Sequence, residues 1–207
     1  MAANPVILIV TPLGPSMVHT DYMLGMLQCH RDLAGLIHPL SPVLRHGLYV
    51  EINRDILTDL FIKTGATHML HIDPDLCFTS DDVRALLDTN KDVICGTYCK
   101  RSPDRKLVGE FYGPFENDLQ RAHVVPGGFT LVTRRAAMMV TAHCSDRTYI
   151  EPGHGLVTAT WQSNIEYGKP HLRDDVAFSR NCTEAGIELW RHAGVVLEHY
   201  GMTAFVP

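Results

Sequence analysis

The 207-residue chain has no C-x-x-C pair among its six cysteines, no run of basic residues longer than a doublet, no internal repeat and no low-complexity segment. The cysteines are scattered and several sit in apolar stretches, where a free thiol behaves as a small hydrophobe, so a reducing cytoplasmic compartment is expected. The doublets Lys100-Arg101 and Arg134-Arg135 and a net charge of −5 argue against broad binding to nucleic-acid phosphate, although a local groove stays open. Near the start the longest apolar run, Val6 to Val10, is too short to span a bilayer, and neither a basic leader region nor a small-residue cleavage site accompanies it. No membrane span and no export signal are therefore expected. The absence of G-x-x-x-x-G-K-[ST] excludes a P-loop enzyme, and the absence of H-E-x-x-H excludes a zincin.

What is present is ordinary for a globular chain. Apolar residues make up 45% and charged residues 20%, enough to build a core without disulfide or metal staples, and the length suits one domain. Val6 to Val10 reads as a strand buried on both faces. A helix is expected over Met17 to Cys29, with Met17, Met23, Leu24 and Leu27 as its apolar face. A second helix carries Ile52, Ile56, Leu57, Leu60 and Phe61 and ends at Gly65. Thr67 to Ile72 reads as a strand, and Thr79 with Asp82 forms a capping box for a helix over Asp81 to Leu87. Strands follow at Val93 to Gly96, Val108 to Tyr112 and His123 to Pro126. Gly127 to Val132 leads into a helix over Arg134 to His143. Asp146 to His171 reads as a long functional loop or lid. A last helix over Asp174 to Ala185 and strands at Leu189 to Arg191 and Val195 to Tyr200 complete an α/β chain with a mixed, mainly parallel central sheet flanked by helices.

Asp73-Pro74-Asp75 follows a strand directly. In extended backbone residues i and i+2 face the same way, so both carboxylates can address one hard cation. Pro74 keeps the chain extended at Asp73. With 15 Asp in 207 positions, roughly one Asp-x-Asp arises by chance. The tripeptide taken alone is equally a turn into the Thr79 helix.

Other segments agree in order. Val50 to Phe78, with Arg54 on its helix and His71-Ile72-Asp73-Pro74-Asp75 after its strand, resembles the region around the metal-binding Asp-x-Asp of GT-A-type glycosyltransferases. Val6 to Pro15 looks like that family's nucleotide-entry segment, and Gly127 to Arg135 resembles its glycine-bearing strand leading into a helix. Asp174-Asp175-Val176-Ala177-Phe178 looks like the acidic pair opening the family's last helix, and His199-Tyr200-Gly201 is similar to its terminal His motif. These landmarks span nearly the whole chain. The departures are Pro74 between the two acids and Asp174 where Glu is common.

The resemblance implies a single GT-A-like, Rossmann-related domain over 1–207, with a nucleotide-sugar-binding half over 1–100 and an acceptor-binding, catalytic half over 101–207. It implies transfer from a nucleoside-diphosphate sugar, UDP-linked by expectation, with Mn2+ or Mg2+. A divalent cation neutralises the departing diphosphate without moving a proton. Asp75 is then a metal ligand, Asp73 is shared between metal and ribose, and His199 adds a nitrogen that favours Mn2+. Arg54 and Lys100-Arg101 are candidates for the diphosphate, and Thr11 and Pro12 lie where open α/β sheets bind nucleotides. Trp161 and Tyr167 either stack on a ligand or anchor their loop. Asp175, at a helix start, is the candidate base for an acceptor hydroxyl, with Asp174 as the fallback. The acceptor can be a glycan, a lipid-linked sugar, a protein or a hydroxylated DNA base. The competing readings are a non-catalytic nucleotide- or sugar-binding module and a nucleotidyltransferase. The lack of Lys or Arg in Thr11 to Thr20 counts against the latter.

Overall fold

The computed structural model describes residues 4–14, 18–162 and 172–201 and the backbone of 204–205. The first apolar run forms β1 (Ile7–Leu13), which continues through Thr11 and Pro12. Helix α1 (Thr20–Asp32) follows, with the His19 side chain accepting from the Asp21 N–H. Its buried residues are Tyr22, Gly25, Met26 and Cys29, whereas Met23, Leu24 and Leu27 are exposed. The expected apolar face is thus corrected. A Cβ on Gly25 would lie 2.6 Å from the Phe78 carbonyl oxygen, so the face lacking a side chain sets the close approach, not the face with most leucine.

Strand β2 (Val43–His46) forms just after Pro42, where no element was expected. Helix α2 (Val50–Lys63) buries Ile56, Leu57 and Phe61 and, unusually, Asn53, Arg54, Asp55 and Thr58 with them. Then come β3 (His68–Ile72), the short β4 (Leu76–Cys77) and α3 (Ser80–Asp88). The capping box is present: the Asp82 N–H donates to Thr79 Oγ1 (3.2 Å) and the Thr79 N–H donates to Asp82 Oδ2 (2.8 Å). Strand β5 (Val93–Thr97) precedes β6 (Glu110–Glu116) and β7 (Leu119–Val124). These last two overlap their expected spans but extend towards each other, β6 to Glu116 and β7 from Leu119. Asn117 and Asp118, both at positive φ (50° and 64°), form the two-residue turn that fixes their register.

Strand β8 (Phe129–Thr133) feeds α4 (Arg134–His143), whose first turn is capped by Thr133. The first part of the expected long loop is instead a hairpin, β9 (Thr148–Glu151) and β10 (Gly155–Thr158). Residues 163–171, Tyr167 among them, lie outside the described residues. Helix α5 (Asp174–Glu184) ends before Gly186 at φ +80°, and β11 (Leu189–Val196), β12 (Glu198–Tyr200) and β13 (Ala204–Phe205) close the chain. In place of the short strands expected at Leu189 to Arg191 and Val195 to Tyr200, β11 runs on through Gly194 to Val196 and β12 follows.

The central sheet has the order β2-β1-β3-β8-β5-β11-β7-β6. Its β2–β1, β1–β3 and β5–β11 junctions are parallel and the other four antiparallel, so β8 and β7 alone run against the remaining six strands. Alternate residues of β1 face opposite cores: Ile7 and Ile9 pack with Tyr22, Met26, Val83 and Leu86 of α1 and α3, while Leu8 and Val10 pack with Leu57, Ala136 and Phe178 of α2, α4 and α5. A second, three-stranded sheet in the order β13-β12-β4 sits at the carboxyl end of β3.

Candidate active site

Pairing of β12 with β4 sets His199 opposite Leu76, and the Tyr200 N–H donates to the Asp75 carbonyl (2.8 Å). The far end of the chain therefore meets the acidic tripeptide. On its other side the Asp73 N–H donates to the Gly128 carbonyl (2.8 Å), joining the end of β3 to the entry of β8. A cleft of about 660 Å³ opens here, lined by Pro12, His19, Asp73, Asp75, Arg101 and Tyr200 among others. It lies beyond the carboxyl ends of β1 and β3, where open α/β sheets take ligands.

The floor of the cleft is organised by Arg54. Its side chain is 3% exposed, donates to the Gly127 carbonyl through Nη1 and to Asp73 Oδ1 through Nη2 (2.7 Å), and holds Asp174 Oδ2 2.9 Å from Nε in a charge contact. Burial would strip its proton, but Asp73 and Asp174 outweigh that and hold it firmly charged. A Cβ on Gly127 would lie 2.7 Å from the Arg54 guanidinium carbon. One on Gly128 would lie 2.4 Å from the Tyr98 hydroxyl and 2.8 Å from Asp73 Oδ2. Both glycines are required by this close approach. The Gly128 N–H in turn donates to the Tyr98 hydroxyl (2.9 Å). Arg54 also lies 5.0 Å from the Trp161 ring centroid.

The rim is looser. Asp75 Oδ2 meets Arg101 Nη1 at 2.7 Å, and Asp75 Oδ1 lies 3.6 Å from His199 Nε2, too far for a hydrogen bond. Burial pushes the Asp75 carboxyl up, but His199 and Arg101 prevail and leave it below the usual carboxylate range. At Asp73, whose side chain is about as exposed (28% against 24%), desolvation prevails over Arg54 and lifts the carboxyl above its usual value. His199 Nδ1 is 2.8 Å from the Cys99 carbonyl oxygen, which can only accept, so Nδ1 carries a proton and Nε2 is the ring atom turned towards Asp75. His19 stacks on Tyr200 (ring centroids 4.0 Å apart, 13° between planes) and forms one wall.

The remaining expected site residues divide. Pro12 lines the cleft, but Thr11 is fully buried and its hydroxyl pairs with that of Tyr22 at 2.6 Å, so its side chain faces the core. Lys100 is exposed, and its neighbour Arg101 is the residue that reaches the cleft. Both faces of Trp161 are covered, by Phe178 stacked at 3.9 Å and by Arg54, which makes it an anchor. Asp174 lines a smaller hollow of about 250 Å³ together with Glu51, Gln162 and Arg173. Asp175 is 8% exposed. Its Oδ1 accepts from the Val176 N–H (2.9 Å), and Arg173 Nε stands 3.9 Å away. Burial, then Asp174, pushes the Asp175 carboxyl above its usual value.

Sequence reasoning missed Asp55. It is fully buried and accepts from the Thr160 and Trp161 N–H groups, the Thr160 hydroxyl, the Gln162 amide and the Tyr149 hydroxyl. Burial pushes it up to about 6 against those hydrogen bonds. The available signal was the adjacent Arg54-Asp55 pair set between Ile52 and Ile56 on one expected helix.

Among the described residues no group of three or more His, Cys, Asp and Glu is gathered into a ready-made metal cage. No described helix is long and apolar enough to cross a membrane. No family model and no curated protein matches the chain. Solved structures do match. A197 from STIV aligns with a TM-score of 0.58 at 14% identity, over 95% of this chain and 86% of that one. GalNAc-T7 with UDP, GalNAc and Mn2+ aligns with a TM-score of 0.53 at 9% identity, over 94% of this chain. This chain spans 43% of the length of GalNAc-T7. At such identities the likeness defines the fold: a single α/β domain with a mixed sheet, GT-A-like in architecture.

Proposed function

We propose that the chain is a metal-dependent glycosyltransferase that moves a sugar from a nucleoside-diphosphate sugar, UDP-linked, to an acceptor hydroxyl. The observation that carries this reading is convergence. Asp73-Pro74-Asp75, Gly127-Gly128, Asp174 and His199 come from four distant segments and are joined by direct contacts beside the cleft that the tripeptide lines. The likeness to GalNAc-T7, a structure holding UDP and Mn2+, supports the same choice of ligands.

The donor set suits a hard divalent cation. Asp75 offers a carboxylate held in its charged form and His199 an Nε2 lone pair, and Asp73 stands beside them. The lack of a three-residue cage also fits, because such ions are commonly held by one or two carboxylates plus substrate phosphates. Bound there, the cation would neutralise charge on the departing diphosphate. Arg54, 3% exposed, holds Asp73 and Asp174 from beneath the cleft, so it positions the site. With Asp174 held by Arg54, Asp175 is the base. Its Oδ1 is taken by the Val176 N–H, and Oδ2 receives the acceptor's proton. Residues 1–100 then carry most of the nucleotide-sugar side and 101–207 the acceptor side, with Arg101 and His199 reaching back to the donor cleft.

The test is calorimetry of UDP with Mn2+, with Mg2+ and with chelator, alongside hydrolysis or transfer from UDP-sugars. UDP binding and turnover are expected to require the divalent ion and to favour Mn2+. Equal UDP affinity in chelator would overturn the metal-dependent reading.

A further inference from the structure

Two arginines reach the acidic cluster, and they differ in what they can do. Arg54 is 3% exposed and is held in contact with groups on three other segments. Arg101 is 52% exposed and lines the cleft, and it meets Asp75 through Nη1. The backbone around Arg101 is anchored: the Lys100 N–H donates to the Lys106 carbonyl (2.8 Å) and the Ser102 N–H to the Lys100 carbonyl (2.8 Å). Its side chain can therefore turn while its Cα stays in place. The two oxygens of Asp75 face two different partners, Arg101 on Oδ2 and His199 Nε2 on Oδ1.

We propose that Arg101 is the resting counter-ion of Asp75 and changes partner during donor binding: the divalent cation takes its place at Asp75, and the released guanidinium closes on the diphosphate. The inference rests on the function proposed above and deepens it. A doubly charged ion outcompetes a guanidinium for one carboxylate, and the two cations repel when both crowd it. The incoming diphosphate offers Arg101 a target that a planar fork can grip with two hydrogen bonds. No covalent bond changes. The exchange keeps the cleft free of an unpaired carboxylate before the donor arrives and supplies a positive group where leaving-group charge develops.

The signature is a pair of effects with opposite sign. Arg101→Gln leaves Asp75 unopposed, so Mn2+ alone, followed by electron paramagnetic resonance, is expected to bind about two- to fivefold more tightly, the worth of a half-exposed ion pair. UDP titrated calorimetrically at saturating Mn2+ is expected to bind at least about tenfold more weakly, as for a lost hydrogen bond to a charged group. Arg101→Lys, which keeps the charge, should lie between wild type and Arg101→Gln in both titrations. Unchanged Mn2+ affinity, or shifts in the same direction for both ligands, would overturn the exchange while leaving the metal-dependent reading intact. Mn2+ that binds neither protein, with or without UDP, would remove that reading and the exchange with it.

Discussion

Asp73 and Asp75 stand two residues apart at the end of one strand, yet they belong to differently built regions. Asp73 is part of the floor, where Arg54 is buried against Asp73, Asp174 and the Gly127 carbonyl and the glycines at 127 and 128 leave no room for a side chain. Asp75 is part of the rim, where a half-exposed Arg101 and the Nε2 edge of His199 face it. The electrostatics separate them too. Burial wins at Asp73 and raises its carboxyl, while His199 and Arg101 win at Asp75 and lower it. A partner locked in place holds geometry. A partner that can leave makes room for a ligand.

The most severe way to break this contrast is to remove the floor's cation. Arg54→Met leaves two carboxylates facing one another with no counter-charge, and removing one partner of a buried ion pair costs about 3–5 kcal/mol. Denaturant unfolding should show a loss of that size. Arg54→Lys should recover only part of it, because a single ammonium cannot reach Asp73, Asp174 and the Gly127 carbonyl together. A loss under about 1 kcal/mol would mean that the floor rearranges freely and that its distinction from the rim is false.

Much of the frame was legible because its signals are local. The unbroken run at Val6–Val10, the Thr79–Asp82 capping box and the helix over Arg134–His143 each depend on neighbours in sequence, and each is present. The failures came where a distant contact decided. The buried face of α1 follows Gly25 and its approach to Phe78, and β11 runs on as one strand where it lies between β5 and β7. The site divides in the same way. The acids at 73 and 75 announce themselves by spacing, whereas Arg54 reads as a helix charge until β3, β8 and α5 bring its partners together. Trp161 likewise stays open between stacking surface and anchor until its full burial against Phe178 and Arg54 decides for the anchor.

The floor extends along α2 to Asp55, and pH sharpens the comparison there. Its carboxyl is raised from 3.8 to about 6 in the folded chain, chiefly by burial. Between those values the folded chain holds a proton that the unfolded chain has released, so stability should fall as pH rises from about 4 to about 6 and level off above, by up to about 3 kcal/mol. Asp55→Asn should remove this part of the slope at little cost. Its carbonyl can keep the bonds from Thr160 and Trp161, while the Gln162 amide can turn to accept from the new NH2. A wild-type profile that matches Asp55→Asn from pH 4 to 7 would show that the five donors, not burial, set this group.

The smallest expected effect is the most discriminating, because it makes one substitution at both positions of the acidic tripeptide. Asp75→Asn removes a charge whose partner is half-exposed, and such pairs are worth about 0–1 kcal/mol, so the unfolding midpoint should barely move. Asp73→Asn weakens the hydrogen bond from the buried Arg54 guanidinium, a bond to a charged group, and should cost about 1.5–3 kcal/mol. Binding should run differently. Both variants should lose affinity for UDP with Mn2+, but only Asp75→Asn should do so in a protein as stable as wild type. Equal destabilisation by the two substitutions would place Asp75 in the floor and remove the basis for treating its arginine partner as exchangeable. A stable Asp75→Asn protein with undiminished UDP and Mn2+ binding would keep the rim loose but strip it of its proposed ligand.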